Sequence, residues 1–151
     1  MASKPAMSGR EVLDRFYAAE KIYMSAPPDK ADFSDIAATL SPNIKLYQSG
    51  DLPYGGTYEG QEGFLRWSKE MASRFDIVEV QPSDVLEKDG KVVVLSTVKF
   101  RVRASGEELV YPFCQVVTVD REKGQITEMR PFYWWVPFQT IFIIVSLISG
   151  R

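Results

Sequence analysis

From position 77 to 135 the sequence reads as four consecutive β-strands, and this block of long strands limits the fold more than any other feature. The runs 77–87, 91–104, 108–120 and 125–135 are rich in Val, Ile, Thr, Phe and Tyr, side chains that suit a pleated surface. Asp89-Gly90, Ser105-Gly106 and a loop ending at Gly124 separate them, each a hairpin signal. Several of the runs are roughly twice the five or six residues usual for a strand. Strands that long must twist and bend, and Pro82, Pro112 and Pro131 suggest bulges or edge positions where they do so.

The first half supplies helices to cover such a sheet. Ser8 and Glu11 form a capping box. Val12, Leu13, Phe16, Ala19, Glu20 and Tyr23 then follow at helical spacing, to about position 25, before Pro27-Pro28 ends the helix. A short helix over 31–40 carries Phe33, Ile36, Ala37 and Leu40 on one face, and 44–48 is a strand. Phe64, Trp67, Met71 and Phe75 recur every three or four residues and predict a third helix over 61–75. With 151 residues, 45% apolar and 25% charged, the chain makes one domain over 1–151, large enough to bury roughly 70% of its unfolded surface. Helices first and a long curved sheet afterwards predict an α+β domain. In it, N-terminal helices pack on an antiparallel sheet to form a cone with an internal cavity.

There is no histidine in the chain. Ser-His-Asp and Cys-His catalysis are therefore excluded, and the commonest ligand for zinc, copper or non-haem iron is missing. Proton transfer near neutral pH must use a carboxylate of raised pKa, a tyrosine, a lysine, the single thiol or a water. Net charge is −2, which gives no electrostatic footprint for nucleic acid. The lone Cys114 rules out an internal disulfide and reads as a small apolar side chain in a reducing compartment. The first dozen residues lack the apolar core of a signal peptide. A cytoplasmic protein is expected, with no cofactor.

Strand parity and loop chemistry nominate a site. Leu52-Pro-Tyr-Gly-Gly56 gives the loop after the first strand a defined path, with Tyr47, Asp51, Tyr54 and Tyr58 close by. Asp51 is either a carboxylate at a pocket mouth or the former of the Gly50-Asp51 turn. Glu128 and Arg130 share a strand face with Ile126, Phe132 and Trp134. They are either a base and an oxyanion-stabilising cation inside the cavity or a surface ion pair. Val92, Val94, Ser96, Val98, Phe100 and Val102 share one face of their strand, while Lys99, Arg101 and Arg103 form a solvated row on the other. Gln115 is the one amide on the face of Leu109, Tyr111, Phe113 and Val117. Asp51, Glu128, Arg130 and Tyr47 are thus the catalytic candidates. Tyr54, Trp67, Phe113, Gln115, Tyr133 and Trp135 are the candidates for substrate contact. The segment 136–150 is nearly all apolar. As a helix it reaches about 21 Å, short of the roughly 30 Å bilayer core. It is expected to close the cavity or pack in a dimer interface, with peripheral membrane contact as the alternative.

Two motifs in order, Leu52-Pro-Tyr-Gly-Gly56 with Gly60 and Gly63, and Gly124-Gln-Ile-Thr-Glu-Met-Arg-Pro-Phe-Tyr-Trp134, resemble the SnoaL-like branch of the nuclear transport factor 2-like superfamily. The resemblance runs roughly from Ser8 to Trp134 and its neighbour Trp135. It implies a cone-shaped fold, often dimeric, that mostly works without metal or organic cofactor. Its members include polyketide cyclases, ketosteroid-isomerase-like and limonene-epoxide-hydrolase-like enzymes, dehydratases and non-catalytic binding domains. Many relatives carry aspartate where this chain has Trp135, and the arginine–aspartate pair of the epoxide-hydrolase type has no counterpart in Ser96-Thr-Val-Lys99. The expectation is an acid/base enzyme for a hydrophobic polyketide or terpenoid intermediate, catalysing cyclisation, isomerisation or epoxide opening, and acting as a homodimer. The alternative is a binding or assembly module on the same fold.

Overall fold

The computed structural model describes residues 4–134. Helix α1 (Gly9–Ser25) starts at the expected capping box: Ser8 Oγ accepts from the Glu11 N–H and the Glu11 carboxylate accepts from the Ser8 N–H. A short α2 (Ser34–Ala38) leads into β1 (Leu40–Gln48), then β2 (Gly56–Glu59) and α3 (Gly60–Arg74). Four strands follow: β3 (Phe75–Lys88), β4 (Lys91–Val102), β5 (Glu108–Asp120) and β6 (Gln125–Tyr133).

The six strands form one sheet in the order β2-β1-β6-β5-β4-β3. The four C-terminal strands are the antiparallel meander expected. β1 joins it alongside β6 in parallel, and β2 pairs antiparallel with β1, so the whole sheet is mixed. The sequence reading missed β2, whose four residues lie between glycines, and it stretched α2 at both ends: Leu40 already belongs to β1. Asp89 and Gly90 both take positive φ, 51° and 78°, as a two-residue hairpin turn between long twisted strands requires. Pro82 does mark a register shift, against β4. Pro112 and Pro131 stay in register and correct the expectation of bulges there.

Helices α1 and α3 lie on the inner face of the sheet. Val12, Leu13, Phe16, Tyr23 and Met24 of α1 are buried, as are Phe64, Trp67 and Met71 of α3. Phe16 meets Phe64 edge-on, with ring centroids 5.8 Å apart, which fastens the two helices together. From the sheet, the predicted inner rows of β4 and β5 are buried without exception from Val92 to Val102 and from Leu109 to Val119. Leu95, Val110, Phe132 and Trp134 stand exposed on the outer face.

The row Lys99, Arg101 and Arg103 is more tied than a solvated face. Lys99 pairs with Glu108 at 3.1 Å, and Arg101 grips Asp76 with two nitrogens at 2.8 and 3.0 Å. Arg103 turns under the helices and donates to main-chain carbonyls.

Candidate functional site

Between the helices and the concave face of the sheet lies a small cavity of about 20 Å³, room for about one water. Its polar lining comes from five elements: Glu20 of α1, Trp67 of α3, Gln48 of β1, Gln115 of β5 and Tyr133 of β6. Met71, Val98, Phe100, Phe113 and Met129 supply much of the apolar wall.

Glu20 sits on the buried stripe of α1, one turn beyond Phe16, and is only 5% exposed. Burial alone pushes its carboxyl up to about 8, because the apolar surroundings penalise the charged form. Near neutral pH it is mostly the uncharged acid, with a usable fraction of carboxylate, the balance a proton-transfer group needs. Tyr133 is held protonated by burial, reinforced by the Tyr54 phenol and by the charge of Glu20. Its hydroxyl lies 3.4 Å from that of Tyr54. Tyr17, whose phenol is also held protonated by burial, donates to Gln115 Oε1. That bond fixes the amide and leaves its NH2 as the remaining donor.

Among the described residues, two cavity-lining groups have no hydrogen-bond partner. Gln48 Oε1 and Trp67 Nε1 are both buried without a hydrogen bond. Leaving such a group unpaired costs roughly 1–3 kcal/mol.

Of the residues nominated from sequence, Trp67, Phe113, Gln115 and Tyr133 line this cavity, and Tyr54 is buried with its hydroxyl toward Tyr133. The four catalytic candidates lie elsewhere. Asp51 is exposed on the β1–β2 loop. Glu128 and Arg130 form an ion pair of 2.7 Å on the outer face of the sheet, and the Arg130 guanidinium covers the Tyr47 ring at 3.9 Å from its centroid. The reason is a bulge: Thr118 pairs with Glu128 but Val119 pairs with Ile126, so Thr127 is an extra residue and the inward phase slips. Ile126 and Met129 both face in, and Glu128 and Arg130 face out. Trp135 and the segment 136–150 lie outside the described residues.

The sequence reading passed over Glu20, Gln48 and Tyr17. Glu20 carried a signal, since a glutamate in an apolar helical stripe of a histidine-free chain is the natural place for a buried acid. A larger depression, of about 470 Å³, lies on the outer side of α3 among Glu62, Arg66, Lys69, Glu70 and Arg74. It is open to solvent and charge-paired, Arg74 lying 2.7 Å from Glu70, whereas the cavity under the helices gathers buried polar groups. Among the described residues no group of three or more His, Cys, Asp or Glu side chains gathers as a metal site. No helix among them is long and apolar enough to cross a membrane.

The sequence model of the SnoaL-like domain matches residues 10–129, the span from α1 to the inward Met129. No curated relative matches the chain in sequence. Among solved structures, an NTF2-like protein of unknown function from Burkholderia pseudomallei superposes with a TM-score of 0.70 at 18% identity, over 95% of this chain and 99% of that one. TerC, crystallised with polyporic acid, gives 0.71 at 20% identity over 89% and 98%. A protein from Jannaschia sp. CCS1 called a SnoaL-like polyketide cyclase gives 0.67 at 18% identity over 100% and 99%. At these identities the likeness carries the fold, and the chemistry has to be argued from the cavity.

Proposed function

This chain belongs to the SnoaL-like domain family, and from that premise we propose that it is an acid/base enzyme needing no cofactor, acting on a hydrophobic carbonyl compound of polyketide or terpenoid type. The observation that carries the reading is Glu20, a carboxyl enclosed with donors and raised to about 8 by burial. Its carboxylate takes a proton from the carbon beside a carbonyl, and the electron pair moves onto the carbonyl oxygen. The Tyr133 hydroxyl and the Gln115 NH2 are the donors available to that oxygen. For cyclisation, the enolate carbon then adds to a second carbonyl of the same substrate, whose oxygen receives the electron pair and takes the proton back from Glu20. For isomerisation, the enolate regains that proton at a different conjugated carbon.

A substrate of this kind needs roughly 300 Å³ or more, so the walls must part around it. Met71 and Met129, both cavity-lining, are the unbranched side chains best able to do so. The test is exchange of α-protons for deuterium in heavy water, followed by NMR over a panel of apolar ketones. Exchange by the wild type that Glu20→Gln abolishes supports the assignment. Full exchange by that variant removes Glu20 from the chemistry.

The small cavity volume also favours a second reading, a non-catalytic module. In that case the exposed Leu95, Phe132 and Trp134 form the face on which a second copy docks. Sedimentation would then give a dimer that Phe132→Asp dissociates, and no ketone would exchange.

A further inference from the structure

The two unpartnered groups of the cavity have opposite hydrogen-bonding character. The Trp67 indole can only donate through Nε1, and Gln48 Oε1 can only accept. Both are buried, both side chains line the same 20 Å³ cavity, and they arrive from different layers, α3 and β1. A pair of this kind is matched by an oxygen that carries a proton, a water while the cavity is closed and a hydroxyl when a ligand takes its place. A hydroxyl accepts and donates at the same oxygen, whereas a carbonyl or ether oxygen only accepts. We propose that Trp67 and Gln48 form a hydroxyl-binding subsite, so that the natural ligand is an otherwise apolar molecule bearing an alcohol or enol O–H. The inference rests on the reading of this cavity as the substrate site, and it narrows the substrate to hydroxylated carbonyl compounds. Trp67 and Gln48 are positioning residues: the indole N–H donates to the ligand oxygen and the amide oxygen takes its proton in a hydrogen bond, with no bond broken.

The test compares three probes of one shape, 1-tetralol, 1-tetralone and tetralin, by NMR titration of the Trp67 indole N–H resonance, identified with Trp67→Phe. The expected result is tetralol binding about ten- to a hundredfold more tightly than either analogue. Binding of the three probes to Trp67→Phe and Gln48→Leu is followed on the resonances of the cavity methionines, and both variants are expected to lose that preference. The two substitutions act at opposite ends of the hydroxyl, so either alone suffices if the other fails to fold. Equal affinity for tetralone means that the Gln48 amide turns to donate, and it overturns the hydroxyl assignment while leaving Glu20 as the acid/base group. A preference that survives both substitutions overturns it as well. If none of the three binds up to its solubility limit, the cavity is not a substrate site and the wider reading falls with the inference.

Discussion

Glu20 on α1 and Tyr133 on β6 reach the same cavity from opposite layers of the fold, and the charge of one adds to burial in keeping the other protonated. This pairing makes pH the most direct probe of the site. The Glu20 carboxyl ionises near 4.5 in an unfolded chain and at about 8 in the folded one. As pH rises between those values the unfolded state gives up its proton first, so the folded state loses ground. Stability is therefore greatest below about pH 4.5, as far as this group alone is concerned, and declines toward pH 8, by something on the order of a few kcal/mol. Glu20→Gln should remove the decline. Thermal melts from pH 5 to 9 should show the variant gaining on the wild type as pH rises, and parallel curves would mean that the carboxyl titrates normally.

In the proposed reaction Tyr133 holds the oxygen on which charge develops. Tyr133→Phe removes that donor but keeps the ring, which packs on Phe113 with centroids 5.1 Å apart. Turnover should fall about 10²-fold, with KM little changed and the melting temperature close to wild type. A drop in stability as large as the drop in rate would mark the hydroxyl as a structural partner of Tyr54 instead.

How much of this was legible in the sequence depended on strand phase. The inward rows of β4 and β5 were readable because their ladder pairs residue for residue from Lys91 with Thr118 to Arg101 with Glu108, and strict alternation survives an unbroken ladder. Phe113 and Gln115 were found for that reason. On β6 the extra Thr127 turned Glu128 and Arg130 outward, and nothing in the local residues announced it. Glu20 was legible as a member of the apolar stripe of α1, but a long side chain at such a position can still reach water, and only the fold shows that helices and sheet bury it. Gln48 ends a strand whose inward phase was visible from Ile44 and Leu46, yet its lack of a partner is a tertiary fact.

The outward placement of Glu128 has its own consequence. Its pair with Arg130 is a third or more exposed on both sides, and such pairs contribute under about 1 kcal/mol. Glu128→Gln and Asp51→Asn, separately or together, should leave α-proton exchange within about twofold of wild type and the melting temperature within a few degrees. A large loss of exchange in either variant would return the chemistry to the loop or the outer sheet face.

Arg103 shows how the ends of both long helices are held. α1 has no basic residue in its last turn, so its C-terminal carbonyls lack the cation that usually complements them. Arg103, just past the end of β4, supplies one from outside. Its Nη2 donates to Met24 O at 2.9 Å, and its Nε donates to Ala72 O at 2.8 Å near the end of α3. Longer contacts of 3.4 Å run to Ala26 O and Phe75 O. One guanidinium thus ties α1 and α3 to the sheet at the end where both helices stop. Arg103→Met keeps much of the packing and removes every donor, leaving half-buried carbonyls unpaired. The expected cost is about 2–3 kcal/mol, a fall in melting temperature of roughly 5–10 °C for a chain of this length. Arg103→Lys should recover only part of it, because one ammonium cannot span carbonyls that the planar fork reaches together. Denaturant melts of the two variants check the point, and equal stability for Lys and Arg would show that charge alone, without the fork, holds the helix ends.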